Sequence, residues 1–262
     1  MFDYGKRTYI MGILNVTPDS FSDGGDFSNI DIAVNHAKEM INEGADIIDL
    51  GGESTRPGHS YVDADEEKRR ILPVIKRLKE EIKVPISVDT YKSDVAQEAL
   101  ELGVEMINDI WGLTKDSNMA NIVAKYDAYI CIMHNQDGTE YNKDIMESIK
   151  EFLQDSIDLA LKSGIKKEKI VLDPGIGFGK TFEQNLEVLK RLDEIKTLGY
   201  PVLLGTSRKS VIGNVLNVEP KQRLEGTIAT TVLGIRDGVD IVRVHDVKEN
   251  LKAAKMADAI YR

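Results

Sequence analysis

Eight short apolar runs recur along the chain, at Thr8–Asn15, Asp46–Gly51, Pro85–Asp89, Glu105–Asp109, Tyr129–His134, Lys169–Asp173, Pro201–Thr206 and Asp240–His245. They are continuous rather than alternating, as expected of parallel strands buried on both faces. Segments of helical period lie between them. Ile30, Ala33, Val34, Ala37, Met40 and Ile41 fall on one stripe, and Leu186, Leu189, Leu192, Ile195 and Leu198 on another. Gly44, Gly103, Gly164, Gly199 and Gly238 each close such a segment just before the next run, where a left-handed residue ends a helix. Thr181 with Gln184 forms a capping box, and Asp63 with Glu66 a looser acidic version. Repeated over 262 residues without a linker or low-complexity stretch, this alternation predicts an α/β fold, a single (β/α)8 TIM barrel over residues 1–262. An open doubly wound sheet is the structural alternative, because strand count alone does not prove closure.

Barrel chemistry sits at the C-terminal ends of the strands. Here those ends carry Asn15, then Glu53-Ser54-Thr55-Arg56-Pro57, Asp89, Asn108-Asp109, Met133-His134, Asp173, Thr206–Ser210, and Arg243 with His245. Two or three polar ends would serve as caps and turns, whereas eight on one rim point to a ligand pocket. Asp89, Asn108 and Asp173 are acceptors suited to the edge of a flat ligand rich in N–H donors. Arg56, Arg208, Lys209, Arg243 and His245, with Asn15, suit an anion of phosphate character. Arg243 interrupts an apolar strand, so its charge has a buried purpose.

The glycine-dense stretch Ile170–Thr181, IVLDPGIGFGKT, invites comparison with a nucleotide phosphate loop. Pro174 occupies the position of the first Walker glycine, and Gly175, Gly177 and Gly179 are spaced G-x-G-x-G, so neither nucleotide pattern is met. Lys180 then reads as a surface charge at a helix start. The histidines His36, His59, His134 and His245 are scattered, without zinc spacing. A hard cation such as Mg²⁺, shared between Asn15 and a phosphate, is compatible.

A net charge of −10 argues against nucleic acid or an anionic membrane as partner. The single cysteine, Cys131, lies in an apolar run and reads as core packing. With no apolar leader or membrane-length segment, a cytoplasmic location is expected. The stretch Leu224–Ile235 is apolar nearly all round and predicts a homodimer contact.

NVTPDSFSDGG (Asn15–Gly25), GGESTRPG (Gly51–Gly58), SVDT (Ser87–Thr90), IND (Ile107–Asp109), LDPGIGFGK (Leu172–Lys180), TSRKS (Thr206–Ser210) and RVHD (Arg243–Asp246) together resemble the dihydropteroate synthase family, in order and over essentially the whole chain. The resemblance implies condensation of 6-hydroxymethyl-7,8-dihydropterin pyrophosphate with 4-aminobenzoate, giving dihydropteroate and pyrophosphate. It implies that Asp89, Asn108, Asp173 and Lys209 hold the pterin, with Met133 and Phe178 as apolar walls. Asn15, Asp23, Arg243 and His245 match the pyrophosphate and Mg²⁺ site, with Asn15 as metal ligand. Thr55, Arg56, Pro57, Ser210 and Phe178 match the 4-aminobenzoate pocket, and Lys209, Arg243, His245 and Asp23 the catalytic set. The implied chemistry is dissociative, and the rim is expected to lack a nucleophile–base pair. Asp19–Gly25 and Ser54–Gly58 read as lids. A pterin-dependent methyltransferase and a non-catalytic pterin-binding homologue are the rival readings.

Overall fold

The computed structural model describes residues 2–16, 26–53 and 61–262. Its elements run β1 (Tyr9–Asn15), α1 (Asp26–Glu43), β2 (Ile47–Gly51), α2 (Ala64–Glu81), β3 (Ile86–Asp89), α3 (Ser93–Glu101), β4 (Met106–Asp109), α4 (Met119–Lys125), β5 (Tyr129–Met133), α5 (Ile145–Lys162), β6 (Ile170–Asp173), α6 (Phe182–Lys190), α7 (Asp193–Lys196), β7 (Leu203–Leu204), α8 (Ser210–Leu216), α9 (Leu224–Arg236), β8 (Ile241–Val244) and α10 (Val247–Tyr261). The strands are all parallel, in the order β6-β5-β4-β3-β2-β1-β8-β7. A single bridge, Leu172 to Val202, joins the two ends and closes the sheet into a barrel. The open-sheet alternative is thereby set aside.

The continuous apolar runs conceal a period of two. Tyr9, Met11, Ile47, Met106, Cys131, Val171, Leu203 and Ile241 pack together inside the barrel. Their neighbours Ile10, Ile48, Ile107, Ile130, Ile132, Leu172 and Val242 face outward into the core shared with the helices. Both faces are dry, which is why no alternation shows in the sequence. Cys131 is fully buried in the inner layer, and burial raises its thiol well above the ordinary range. The five helix-ending glycines all take positive φ, from 77° to 106°.

Two expectations need correction. The last strand but one is only Leu203–Leu204, because Pro201 has no N–H and the Val202 N–H donates to Asp240 Oδ2 rather than to a neighbouring strand. The stripe Leu186–Leu198 is not one helix. It breaks after Lys190, with Arg191 N–H turning back to Val188 O, so that Leu192 and Ile195 are buried while Leu186 is exposed. The capping box at Thr181 forms as read, and Asp63 caps α2 by accepting from Glu66 N–H.

Candidate active site

The strand ends enclose a cavity of about 410 Å³. Every described residue that the sequence placed in the site lines it: Asn15, Asp89, Asn108, Met133, Asp173, Phe178, Lys209, Ser210, Arg243 and His245. Asp23, Thr55, Arg56 and Pro57, and the segments 19–25 and 54–58, lie outside the described residues. Strand geometry explains the convergence. Inward positions alternate, so β8 points Ile241 into the apolar floor and Arg243, two residues on, into the cavity.

Arg243 is the hub. Its Nε donates to Asp49 Oδ2 at 2.6 Å and its Nη2 to Asp89 Oδ2 at 2.8 Å. Asn108 Nδ2 also reaches Asp49 Oδ2, at 3.4 Å. Asp49 was not singled out from the sequence. Yet it interrupts the apolar strand IIDLG just as Arg243 interrupts its own, and it is wholly buried. Among the described residues, Asp49 Oδ1, Ser87 Oγ and Asp89 Oδ1 are buried without a hydrogen-bond partner. Of these residues Asp89 lines the cavity, and its buried acceptor suits a ligand that brings N–H donors.

Desolvation sets the site's electrostatics. Burial raises the Asp89 carboxyl to about 7, with Arg243 opposing and Asp49 adding to the rise. Burial likewise raises Asp173, against the pull of Lys209 and of the Gly175 N–H that Asp173 Oδ1 accepts at 2.7 Å. The same dry surroundings lower Lys209 to about 8, with Asp173 opposing. Lys209 Nζ donates to Ile176 O and lies 4.8 Å from the centre of the Phe178 ring. The residue before it, Arg208, sits at φ 58°, a left-handed conformation unusual outside glycine. Thr227 Oγ1 accepts its N–H, Arg223 Nη1 donates to its carbonyl, and Asp246 accepts from Nε and Nη2 along one edge of its guanidinium. The kink precedes Lys209, and Arg208 itself lines the cavity while its guanidinium is held by Asp246.

Two further readings change. Lys180 is not a surface charge: it is buried, and its Nζ lies 2.9 Å from His134 Nδ1, 2.9 Å from Gly175 O and 3.0 Å from Phe178 O. The rim also contains a serine–histidine pair, with Ser207 Oγ 3.0 Å from His245 Nδ1. The same hydroxyl accepts the His245 backbone N–H at 3.1 Å, so Ser207 fixes where the imidazole points. Its partner lies 38 residues away, a distance at which sequence gives no signal.

Among the described residues, no cluster of three or more His, Cys, Asp or Glu side chains could hold a metal ion. The donor offered by the described rim on β1 is the Asn15 amide, beside Gly51. A neutral amide fits a cation that arrives with an oxyanion ligand better than a resident one.

A model of the pterin binding enzyme family matches residues 11–245. The dihydropteroate synthase of Clostridium beijerinckii is 60% identical over 262 residues, covering 100% of this chain and 97% of that protein. The chain belongs to the dihydropteroate synthase family. As a member it is a transferase of folate biosynthesis. The crystal structure of the Clostridium difficile synthase, obtained in the presence of pteroic acid, superposes with a TM-score of 0.99 at 77% identity, covering 100% of both chains. The Yersinia pestis synthase in complex with a sulfonamide drug superposes at 0.90 and 43% identity, over 97% of this chain and 94% of that one. Both synthases share the barrel.

Proposed function

We propose that this pocket condenses 6-hydroxymethyl-7,8-dihydropterin pyrophosphate with 4-aminobenzoate, giving dihydropteroate and pyrophosphate, and that residues 1–262 act as one catalytic domain. The observation that carries this reading is the meeting, in one cavity, of an acceptor wall (Asp89, Asn108, Asp173) with a cationic one (Lys209, Arg243, His245). The acceptors grip the edge of the pterin, Met133 and Phe178 hold its faces, and Lys209 reaches over the ring. Arg243, His245, Asn15 and Asp23 take the pyrophosphate. Ser210, Phe178, Thr55, Arg56 and Pro57 take 4-aminobenzoate.

The C–O bond to the pyrophosphate breaks first, leaving a pterin methylene cation stabilised by the ring, and the neutral arylamine then attacks it. Such a reaction needs no strong base. It needs donors fixed where charge builds on the leaving group, each of which contributes about 2.7–4 kcal/mol. The buried Asp49 and Asp89 carboxylates preorganise Arg243 for that work. Asn15, together with the substrate's oxyanion, would hold Mg²⁺, which would supply charge compensation on the leaving group. The synthase is cytoplasmic and works as a homodimer through α9.

Pyrophosphate release upon mixing both substrates with Mg²⁺ is the test. A methyltransferase would bind pterin and release none, and a non-catalytic homologue would bind both compounds without turnover. A sulfonamide should raise the KM for 4-aminobenzoate without changing kcat. Absence of pyrophosphate release from folded protein would sink the reading.

A further inference from the structure

Behind the loop that walls the pocket stands a buried lysine, Lys180. Lys180 immediately precedes Thr181, the N-cap of α6. A cation there opposes the helix dipole, and burial adds a desolvation cost, so a purely incidental charge would not persist at this position. What it meets is a matched set of acceptors. Gly175 O, Phe178 O and His134 Nδ1 surround Nζ at 2.9, 3.0 and 2.9 Å, one for each N–H of an ammonium. Burial lowers the His134 imidazole to about 3, so its ring is neutral and free to accept.

The loop is wrapped around that ammonium. Gly175 takes φ 71°, and a Cβ there would fall 1.9 Å from His134 O, so the chain lies directly on the exit of β5. Gly179 is pressed against Gln136 in the same way, where a Cβ would meet Gln136 Cγ at 2.7 Å. Gly175 also donates to Asp173 Oδ1, and Phe178 carries the ring over which Lys209 lies. The loop is therefore held from two sides, by Lys209 at Ile176 O facing the cavity and by Lys180 at Gly175 O and Phe178 O behind it.

We propose that Lys180 is a positioning residue for the synthase reaction: its ammonium fixes the loop between Asp173 and Phe178 in the shape that grips the pterin. The assignment rests on the reading of the pocket given above. The charged and titratable groups facing Lys180 are His134, Asp173 and Lys209. Burial lowers Lys180 to about 7 against the pull of Asp173, which makes its hydrogen bonds sensitive to pH near neutrality.

The test compares Lys180→Met, which keeps length but has no donor, with Lys180→Gln, which keeps two N–H bonds. Measurements are Tm, calorimetric binding of pteroic acid, and pyrophosphate release with each substrate varied in turn. Lys180→Met should raise the KM for pterin pyrophosphate about tenfold or more and weaken pteroic acid similarly, with kcat held within about threefold, because Arg243, Asn15 and His245 stand on other elements. Lys180→Gln should recover part of the loss. Unchanged KM and pteroic acid affinity in folded Lys180→Met overturns the proposal, as does a loss confined to kcat. Failure of both variants to fold assigns the lysine to folding and overturns it too. A wild-type chain that releases no pyrophosphate, yet binds pteroic acid more tightly than Lys180→Met, refutes the synthase reading and leaves the positioning role standing.

Discussion

Asp89 and Lys209 face one cavity with pKa values pushed toward each other from opposite ends of the scale. Burial raises the acid to about 7 and lowers the base to about 8, so both are charged together only in the interval between. Below it Asp89 protonates and loses acceptor capacity for ring N–H groups; above it Lys209 loses its charge. The kcat/KM for pterin pyrophosphate should pass through a maximum in that interval, its limbs belonging to the coupled site as a whole. A flat profile from about pH 6 to about pH 9 would contradict this. The linkage to stability has opposite signs. Asp89 contributes most in acid, and that contribution is lost as pH rises through about 7, while the cost of a buried Lys209 ammonium is relieved above about 8. Ser207 poses a different question, because a serine beside a histidine can also signal a nucleophile. If it only orients His245, Ser207→Ala should keep turnover within about tenfold, whereas a loss of about a thousandfold would restore the nucleophile reading. The residues missed from the sequence fall into two kinds. Asp49 and Lys180 carried legible signals, a charge inside an apolar strand and a cation at the wrong end of a helix. The Ser207–His245 pair did not, since only the pairing of β7 with β8 brings these two residues together across 38 positions of sequence.

Elements were the most legible level, because each strand is bounded by punctuation that local chemistry requires. Every strand begins and ends within one residue of its apolar run or just inside it, except β7, where Pro201 removes a donor. What the pattern did not show is how elements are tied at the rim. Glu53 follows β2, Glu67 lies in the first turns of α2, and Lys92 caps α3. Lys92 Nζ binds Glu53 Oε2 and Glu67 Oε2, each at 2.5 Å, with the Glu67 side chain only 1% exposed. Glu53 Oε1 in turn accepts the Val62 N–H at 3.1 Å. Removing the lysine strands two carboxylates in a dry site, a change that costs about 3–5 kcal/mol for buried pairs. Lys92→Met should therefore lower the urea unfolding free energy by about that amount. A loss below about 1 kcal/mol, the range of exposed pairs, would show that water reaches the cluster.

At the scale of the whole molecule, the barrel accounts for nearly all the buried apolar surface but leaves α9 and α10 incompletely covered. These helices pack side by side. The stretch Leu224–Ile235 is apolar nearly all round in sequence, and the fold divides it. Thr227, Thr231, Gly234 and Ile235 face the barrel, Leu233 is 46% exposed, and on α10 Met256 and Ile260 are 64% and 61% exposed. Met256 and Ile260 are four residues apart and share one face. A few exposed apolar residues are ordinary on a monomer, so the informative feature is that α9 buries threonines toward the barrel while turning a leucine to solvent. That inversion makes sense if a second copy covers the outer face, since C2 contact would let one patch serve both partners. Sedimentation at micromolar concentration should give a dimer for the wild-type chain and a monomer for Leu233→Asp combined with Ile260→Asp, with the barrel still folded by circular dichroism. A wild-type monomer would remove the dimer. A double variant that stays dimeric would place the contact on another face, because two charges buried without partners at the heart of an interface cost more than the hydrophobic contacts they replace can return.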